Sequence, residues 1–242
     1  MTDGHFDAAV AARYDETSAS MFEAASIDPV VEVLHELADG GAALELAIGT
    51  GRIALPLQRR GTPVAGIELS GAMVQQMRAK PGAQDIPVTI GDMATATVEG
   101  TFSLVYLVFN TIGNLTTQGA QVDCFANAAR HLQPGGRFVI ETGLPQLQRL
   151  PPGETVRPFH LSEAHLGFDE YDIANQGLIS HHFELRDGHY EKSSVPFRYT
   201  WPAELDLMAR LAGLELEHRW SDWDRTPFTS ESEKHVSVWR KG

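Results

Sequence analysis

A single cysteine, Cys124, stands in the 242 residues, so no internal disulfide can form. A reducing, cytoplasmic location is therefore the expectation. No apolar run approaches the roughly 20 residues that a membrane helix needs. The opening MTDGHFDAAVAARYD is polar and acidic, with neither the apolar core of a secretory leader nor the arginines of a transit peptide. Basic residues are also scarce: 19 Lys and Arg stand against 32 Asp and Glu, for a formal net charge of −13, and no basic run occurs. Duplex binding needs clustered cations that displace counterions, so nucleic acid is argued against as a partner. The ten histidines offer no metal-ligand spacing. His181 and His182 are adjacent and would face opposite sides of a strand, with no Cys or second His placed to complete a site.

What the chain does have is strand and helix in alternation. Asp28-Pro29 reads as an N-cap and first helical residue, followed by the apolar face Val30, Val31, Val33, Leu34, Leu37 and a stop at Asp39-Gly40-Gly41. The runs 43–48, 63–69, 87–92, 102–109 and 137–142 are short and largely apolar, as buried parallel strands are. Helical patterns separate them, opening near Arg52, at the Ser70 cap and over 122–132, the last stopping at Gln133-Pro134-Gly135-Gly136. The expected fold is a doubly wound, Rossmann-like α/β sheet of seven strands, mostly parallel with the last strand antiparallel. After residue 145 the pattern changes. Residues 144–158 are proline-rich and read as a connection, and 168–201 alternate with period two around the turns Asn175-Gln176-Gly177 and Arg186-Asp187-Gly188. A three-stranded antiparallel meander is expected there. Pro202 opens a helix, and 214–220 with 235–240 form an antiparallel pair. The whole reads as one domain over 1–242, with residues 1–26 a helical lid and about 145–201 a β insertion that caps the substrate.

Ligands of such sheets bind at the carboxyl ends of the strands. There the chain carries Glu45-Leu46-Ala47-Ile48-Gly49-Thr50-Gly51-Arg52. The paired glycines permit a tight turn and close approach of a ligand to the backbone, and the next helix presents free N–H groups suited to a carboxylate. S-adenosylmethionine (SAM) has such a carboxylate. Glu68, at the end of the second strand, is placed to accept from both ribose hydroxyls. Asp92, at the end of the third, is placed to accept from an adenine amino group while Met93 packs on the ring. Each acid alone is also an ordinary loop residue. Three of them, Glu45, Glu68 and Asp92, at or near successive strand ends beside a glycine pair are less ordinary.

The segments LELAIGTGR, GIELS, GDM and HLQPGG resemble the successive motifs of class I SAM-dependent methyltransferases, over about residues 10 to 142. The resemblance implies that Gly49 and Gly51 approach the methionine moiety, with Glu45 near its ammonium. It also implies that Glu68 holds the ribose and that Asp92 and Met93 hold the adenine. Ala47, Arg52, Leu69 and Phe109 complete the implied cofactor contacts. The chain is also similar to the amino-sugar N-methyltransferases of antibiotic pathways, which share the early Tyr14-Asp15 and an antiparallel insertion after strand five. That similarity implies that Tyr14 closes over the cofactor carboxylate. S-adenosylhomocysteine (SAH) would be the product.

Two rival cofactor or substrate classes are weighed against this. Gly49-x-Gly51-x-x-Ala54 with Glu68 also fits a loose dinucleotide fingerprint. Glu45, however, would face a pyrophosphate, and no Tyr-x-x-x-Lys pair follows strand four. A nucleic-acid base methyltransferase would carry a proline-rich clamp after strand four, where this chain has Asn110-Thr111-Ile112-Gly113-Asn114. A SAM-binding module without turnover is the remaining alternative to an enzyme acting on an N or O atom of a small molecule.

The acceptor side offers weaker signals. Asn110 and Asn114 lie beside the expected methyl position, or serve loop hydrogen bonding. In the meander, Ile179, His181, Phe183 and Leu185 share one face, and Val195, Phe197, Tyr199 and Trp201 share another. Tyr199 and Trp201 are candidates for roofing the acceptor. His181 is either a base or a hydrogen-bonded core histidine. Trp220 and Trp223 read as anchors of the last strands, and Cys124 as a small buried hydrophobe. A dedicated base is optional, because methyl transfer mainly requires an aligned nucleophile at about 3 Å.

Overall fold

β1 (Ala43–Leu46), β2 (Val64–Glu68) and β4 (Phe102–Leu107) are buried at every position, which is why they read as apolar runs without alternation. The computed structural model describes residues 6–242, and the first five residues of the expected lid lie outside them. Among the described residues the main sheet has seven strands, ordered β10-β11-β5-β4-β1-β2-β3. It is parallel except for β11 (Lys234–Lys241), which runs antiparallel to both β5 (Leu132–Gly143) and β10 (Leu214–Trp220). The chain steps outward from β1 through β2 to β3 (Val88–Ile90), then returns to place β4 on the other side of β1. The strand order therefore reverses between β1 and β4, and a crevice opens at their carboxyl ends.

Two helical layers cover the sheet. Alternate strand residues Ala43, Leu104, Tyr106, Val139 and Val236 pack with α2 (Ala24–Ala38), α3 (Ala54–Arg59) and Trp223. Leu44, Leu46, Val105, Leu107, Phe138 and Ile140 pack instead with α5 (Gln118–His131) and α6 (Pro202–Leu211). Cys124 is fully buried in this second layer, where burial, and then the charge of Asp92, push its thiol up. α1 (Ala8–Thr17), capped by Asp7, lies against α4 (Gly71–Arg78), capped by Ser70. Among the described residues no helix is long and apolar enough to cross a membrane.

Three expectations are corrected. α2 begins at Ala24, so Pro29 sits inside it rather than at its start. The first turn is held by the Glu23 carbonyl, which accepts from the Ser26 and Ile27 N–H groups, so the helix is already established before the proline. The second sheet has four strands, β6 (Val156–Leu161), β7 (His165–Asp172), β8 (Gly177–Arg186) and β9 (His189–Arg198), in sequential antiparallel order. The added β6 lies in the proline-rich stretch read as a connection. It is an edge strand, where Pro158 need not donate to a central ladder. Gln133–Gly136, read as a plain helix stop, is the entry of β5, whose Leu132 pairs with Phe102.

The four-stranded sheet is tied to the main body by a buried polar cluster. Arg198, at the end of β9, bonds Glu204 of α6 at 2.7 Å, and also reaches Gln121 of α5 and Gln176. Burial raises the Glu204 carboxyl, but the hydrogen bonds from Arg198, Gln118 and Gln176 outweigh it and hold the group below its ordinary range. Removing one member of such a cluster leaves a buried charge without its partner. Arg198→Ala is expected to cost about 3–5 kcal/mol, read as a lower urea midpoint with an unchanged slope. A loss under about 1 kcal/mol would show that the cluster does not hold the two sheets together.

Candidate active site

The turn after β1 is built on backbone conformations that few residues tolerate. Ala47, Gly49 and Gly51 all have positive φ, at 56°, 58° and 80°. A Cβ on Gly51 would also come within 3.0–3.1 Å of Met77 and Leu55. Ala47 bears strain of the kind that persists where the surroundings fix it. The fixing group is Glu68. Its Oε2 accepts the Gly49 N–H at 2.8 Å, and its Oε1 accepts the Ser70 N–H at 2.9 Å. One carboxylate at the end of β2 thus joins the loop after β1 to the cap of α4.

A cavity of about 430 Å³ opens beside this turn. Its floor brings together Ala47, Gly49, Glu68, Leu69, Asp92 and Met93, all singled out in the sequence. Asp92 uses Oδ1 to accept the Ala94 N–H at 2.8 Å, and Met93 is buried. Tyr14, from α1, and Asn114, after β4, close two of its sides. Burial is the main cause that pushes the Tyr14 phenol up, against the lowering effect of Arg52. α1 is latched in place: Thr50 donates to Asp15 at 2.7 Å, Lys80 pairs with the other Asp15 oxygen, and Ser70 Oγ donates to the Phe6 carbonyl at 2.6 Å.

Other expected residues stand away from the cavity lining. Glu45 is buried one layer behind, where the Tyr106 hydroxyl donates to its Oε2 at 2.9 Å. Burial pushes the Glu45 carboxyl up to about 8, despite the Tyr106 hydrogen bond and the Arg52 charge that lower it. Arg52 lies over the Phe109 ring, 5.2 Å from its centroid, and donates to the Met21 carbonyl. Asn110, a catalytic candidate, is outside the lining, and its Oδ1 accepts the Gly143 N–H, tying the end of β4 to the end of β5. Tyr199 is buried edge-on against Tyr171, and Trp201 stands at the start of α6 and is 41% exposed; neither is in the cavity lining. His181 does not line it either, standing one hydrogen bond behind Ser194.

The cavity also has walls that sequence reasoning missed. Phe6 joins Tyr14 on the N-terminal side. Thr111 and Thr116 flank Asn114, and Ser194 and Pro196 come from β9, on either side of Val195, which the sequence places on a meander face. Three consecutive strand residues line one cavity because β9 is the free edge of the four-stranded sheet. Alternation reports faces, not edges, so no periodicity signals it. None of the described residues lining the cavity is Lys or Arg, whereas Glu68 and Asp92 are both acids.

The comparisons with known proteins agree with this geometry. A family profile described as a methyltransferase domain matches residues 43–136. The solved CcbJ methyltransferase from Streptomyces caelestis is 36% identical, with a TM-score of 0.80 over 88% of each chain. This chain belongs to the SAM-dependent methyltransferases. Cypemycin N-terminal methyltransferase from a Streptomyces species is 26% identical over 237 residues, covering 93% of this chain and 96% of the relative. The SAM-bound amino pentose methyltransferase CalS10 from Micromonospora echinaspora shares the fold, at 21% identity and a TM-score of 0.63 over 87% of this chain and 89% of its own. The dinucleotide reading of the glycine turn gives way to SAM.

The residues present fit that cofactor. Glycine turns with positive φ leave backbone open to the methionine end. Glu68 brings an acceptor-only carboxylate to the lining, the group a ribose diol donates to, and the acidic lining with no Lys or Arg among its described residues suits a sulfonium. Glu68→Ala is expected to raise the SAH dissociation constant about 100-fold or more, by loss of two charge-assisted hydrogen bonds. Unchanged affinity in calorimetry would remove Glu68 from the ribose. Glu45 makes a second, independent prediction. Its folded value lies above its unfolded one, so its contribution to stability is full below about pH 4.5 and is lost as pH rises toward about 8. Glu45→Gln is expected to flatten the ligand-free melting temperature across that window. An identical slope in wild type and variant would show that Glu45 ionises freely.

Proposed function

We propose that the chain is an N-methyltransferase whose acceptor is an amine without phosphate or carboxylate at the reacting end. The observation that carries this reading is the lining itself. The acceptor side presents Thr111, Asn114, Thr116 and Ser194, all neutral and polar, and the cavity offers two acids and no cation. A phosphate or carboxylate of the acceptor would find no charge partner among these neutral groups, whereas an amine can be held by hydroxyl and amide oxygens alone. The relative named as an N-terminal methyltransferase, which aligns along nearly its whole length, supports an amine acceptor.

In this reading Glu68, Asp92 and Met93 hold the adenosine, Gly49 and Gly51 approach the methionine end, and Tyr14 with Phe6 covers it. SAM, when bound, supplies an electrophilic methyl group. The chain supplies alignment and exclusion of water, which is the larger share of what an in-line displacement requires. The N-terminal helices serve as the lid and the four-stranded sheet as the acceptor cap, within one domain. The latch on Asp15 is part of the lid. Lys80→Ala is expected to weaken SAH binding about threefold to tenfold while leaving the fold intact.

The test supplies tritiated-methyl SAM with two probes, the tripeptide amide Ala-Ala-Ala-NH2 and 4-nitrocatechol. Label transfer to the peptide amine and none to the catechol is expected. Transfer to the catechol alone would overturn the amine reading and leave a methyltransferase of oxygen.

A further inference from the structure

His181 lies on the second sheet with its side chain only 10% exposed, and both ring nitrogens are engaged. Nδ1 lies 2.8 Å from the hydroxyl of Ser194, and Nε2 lies 3.1 Å from Oε2 of Glu170. Ser194 is in the cavity wall, and the Glu170 side chain is 53% exposed. The three residues thus span the sheet from the acceptor side of the cavity to solvent. β8 and β9 pair His181 with Ser194, and Glu170 lies on β7 opposite Ile179, the next residue on the same face of β8. The connection is set by strand register, which no spacing along the sequence reveals.

The tautomer of the ring sets the direction of the chain. With the ring hydrogen on Nε2, His181 donates to the Glu170 carboxylate, which accepts. Nδ1 is then bare and accepts the Ser194 O–H. The Ser194 oxygen, having given its hydrogen inward, keeps its lone pairs for an N–H donor in the cavity. In that tautomer every link points from the cavity to the surface.

We propose that Ser194, His181 and Glu170 form a proton relay that takes the proton of the acceptor amine out of the cavity. The proposal rests on the amine reading and deepens it. An amine reaches the site largely as its ammonium, which has no lone pair to attack with. Its proton passes to Ser194 Oγ as the Ser194 proton passes to His181 Nδ1. The imidazolium then yields its Nε2 proton to Glu170 and on to water. The freed nitrogen lone pair forms the N–C bond as the C–S bond breaks, with that bond's electrons remaining on sulfur. Ser194 touches the acceptor, while His181 acts through it as a positioning residue.

The surroundings of His181 do not supply a competing partner. Phe168 of β7 lies against its ring, at 4.9 Å between centroids. Asp169 interacts with it electrostatically from the adjacent position on β7, while also answering to Ser180 and to Arg157 of β6. Lys192 of β9 is drawn over Phe183, 5.7 Å from its centroid.

Two readouts test the relay. The first needs no acceptor: imidazole nitrogen shifts of His181 are recorded in the SAH-bound enzyme. A bare Nδ1 that moves in Ser194→Ala, with an Nε2–H that moves in Glu170→Gln, is expected. A protonated Nδ1 would reverse the chain and overturn the proposal, whatever the acceptor is. The second follows methylation of Ala-Ala-Ala-NH2 against pH. His181→Gln is expected to lose about 100-fold in kcat/KM near pH 7, with the deficit closing as pH rises and the amine loses its own proton. Ser194→Ala should show the same profile and Ser194→Thr should restore it, with SAH affinity unchanged in all three. A deficit that is uniform across pH, or none, would overturn the relay. If wild type leaves the tripeptide amide unmethylated, the amine reading has failed, and the imidazole shifts alone decide the relay's direction.

Discussion

The hydrogen bonds of one carboxylate hold the architecture of the site together. Glu68 ends β2, but its two oxygens bind the backbone of Gly49, after β1, and of Ser70, at the start of α4. The turn it fixes carries three residues in the left-handed region, among them Ala47, which has no conformational exemption. Without that fixation the strained turn would have little reason to hold its shape, and the cavity floor would lose its edge. The same group faces the cavity. It therefore organises the site before any ligand arrives, which is the arrangement that minimises reorganisation on binding.

Electrostatics then divide the molecule's acids by task. Glu45, behind the floor, is buried against Tyr106 and holds its proton to an unusually high pH, whereas Glu204 is kept ionised by Arg198 and its neighbours. Both are buried or nearly so, and the difference is the presence of a permanent cation within hydrogen-bond distance. Glu68 and Asp92 instead line a cavity with no cation among its described walls. A positively charged ligand, as SAM is at its sulfonium, suits such a site.

The sequence made the cofactor half of the site legible and the acceptor half largely not. Glycine turns and strand-end acids obey local rules, and so Gly49, Glu68, Asp92 and Met93 meet in one cavity. β1, β2 and β4 were equally legible because burial on both faces leaves a continuous apolar run. Acceptor-side residues obey no local rule. Ser194 reaches the cavity because β9 is an edge, and Asn110 is diverted from it because its side chain bonds Gly143 across two strand ends. β6 was hidden by Pro158 and by the prolines just before it, and an edge strand tolerates a proline. Alternation did place His181 and Phe183 on one face. It could not say that Ser194 would stand between His181 and the cavity.

A crystal structure of the SAH complex tests the central claim most directly. The account predicts both ribose hydroxyls within hydrogen-bond distance of Glu68, about 2.6–3.2 Å, with the Gly49 N–H still bound to the same carboxylate. A ribose held by other residues, or a Glu68 turned away from Gly49 to reach it, would contradict the view that this carboxylate organises the turn and the ligand together.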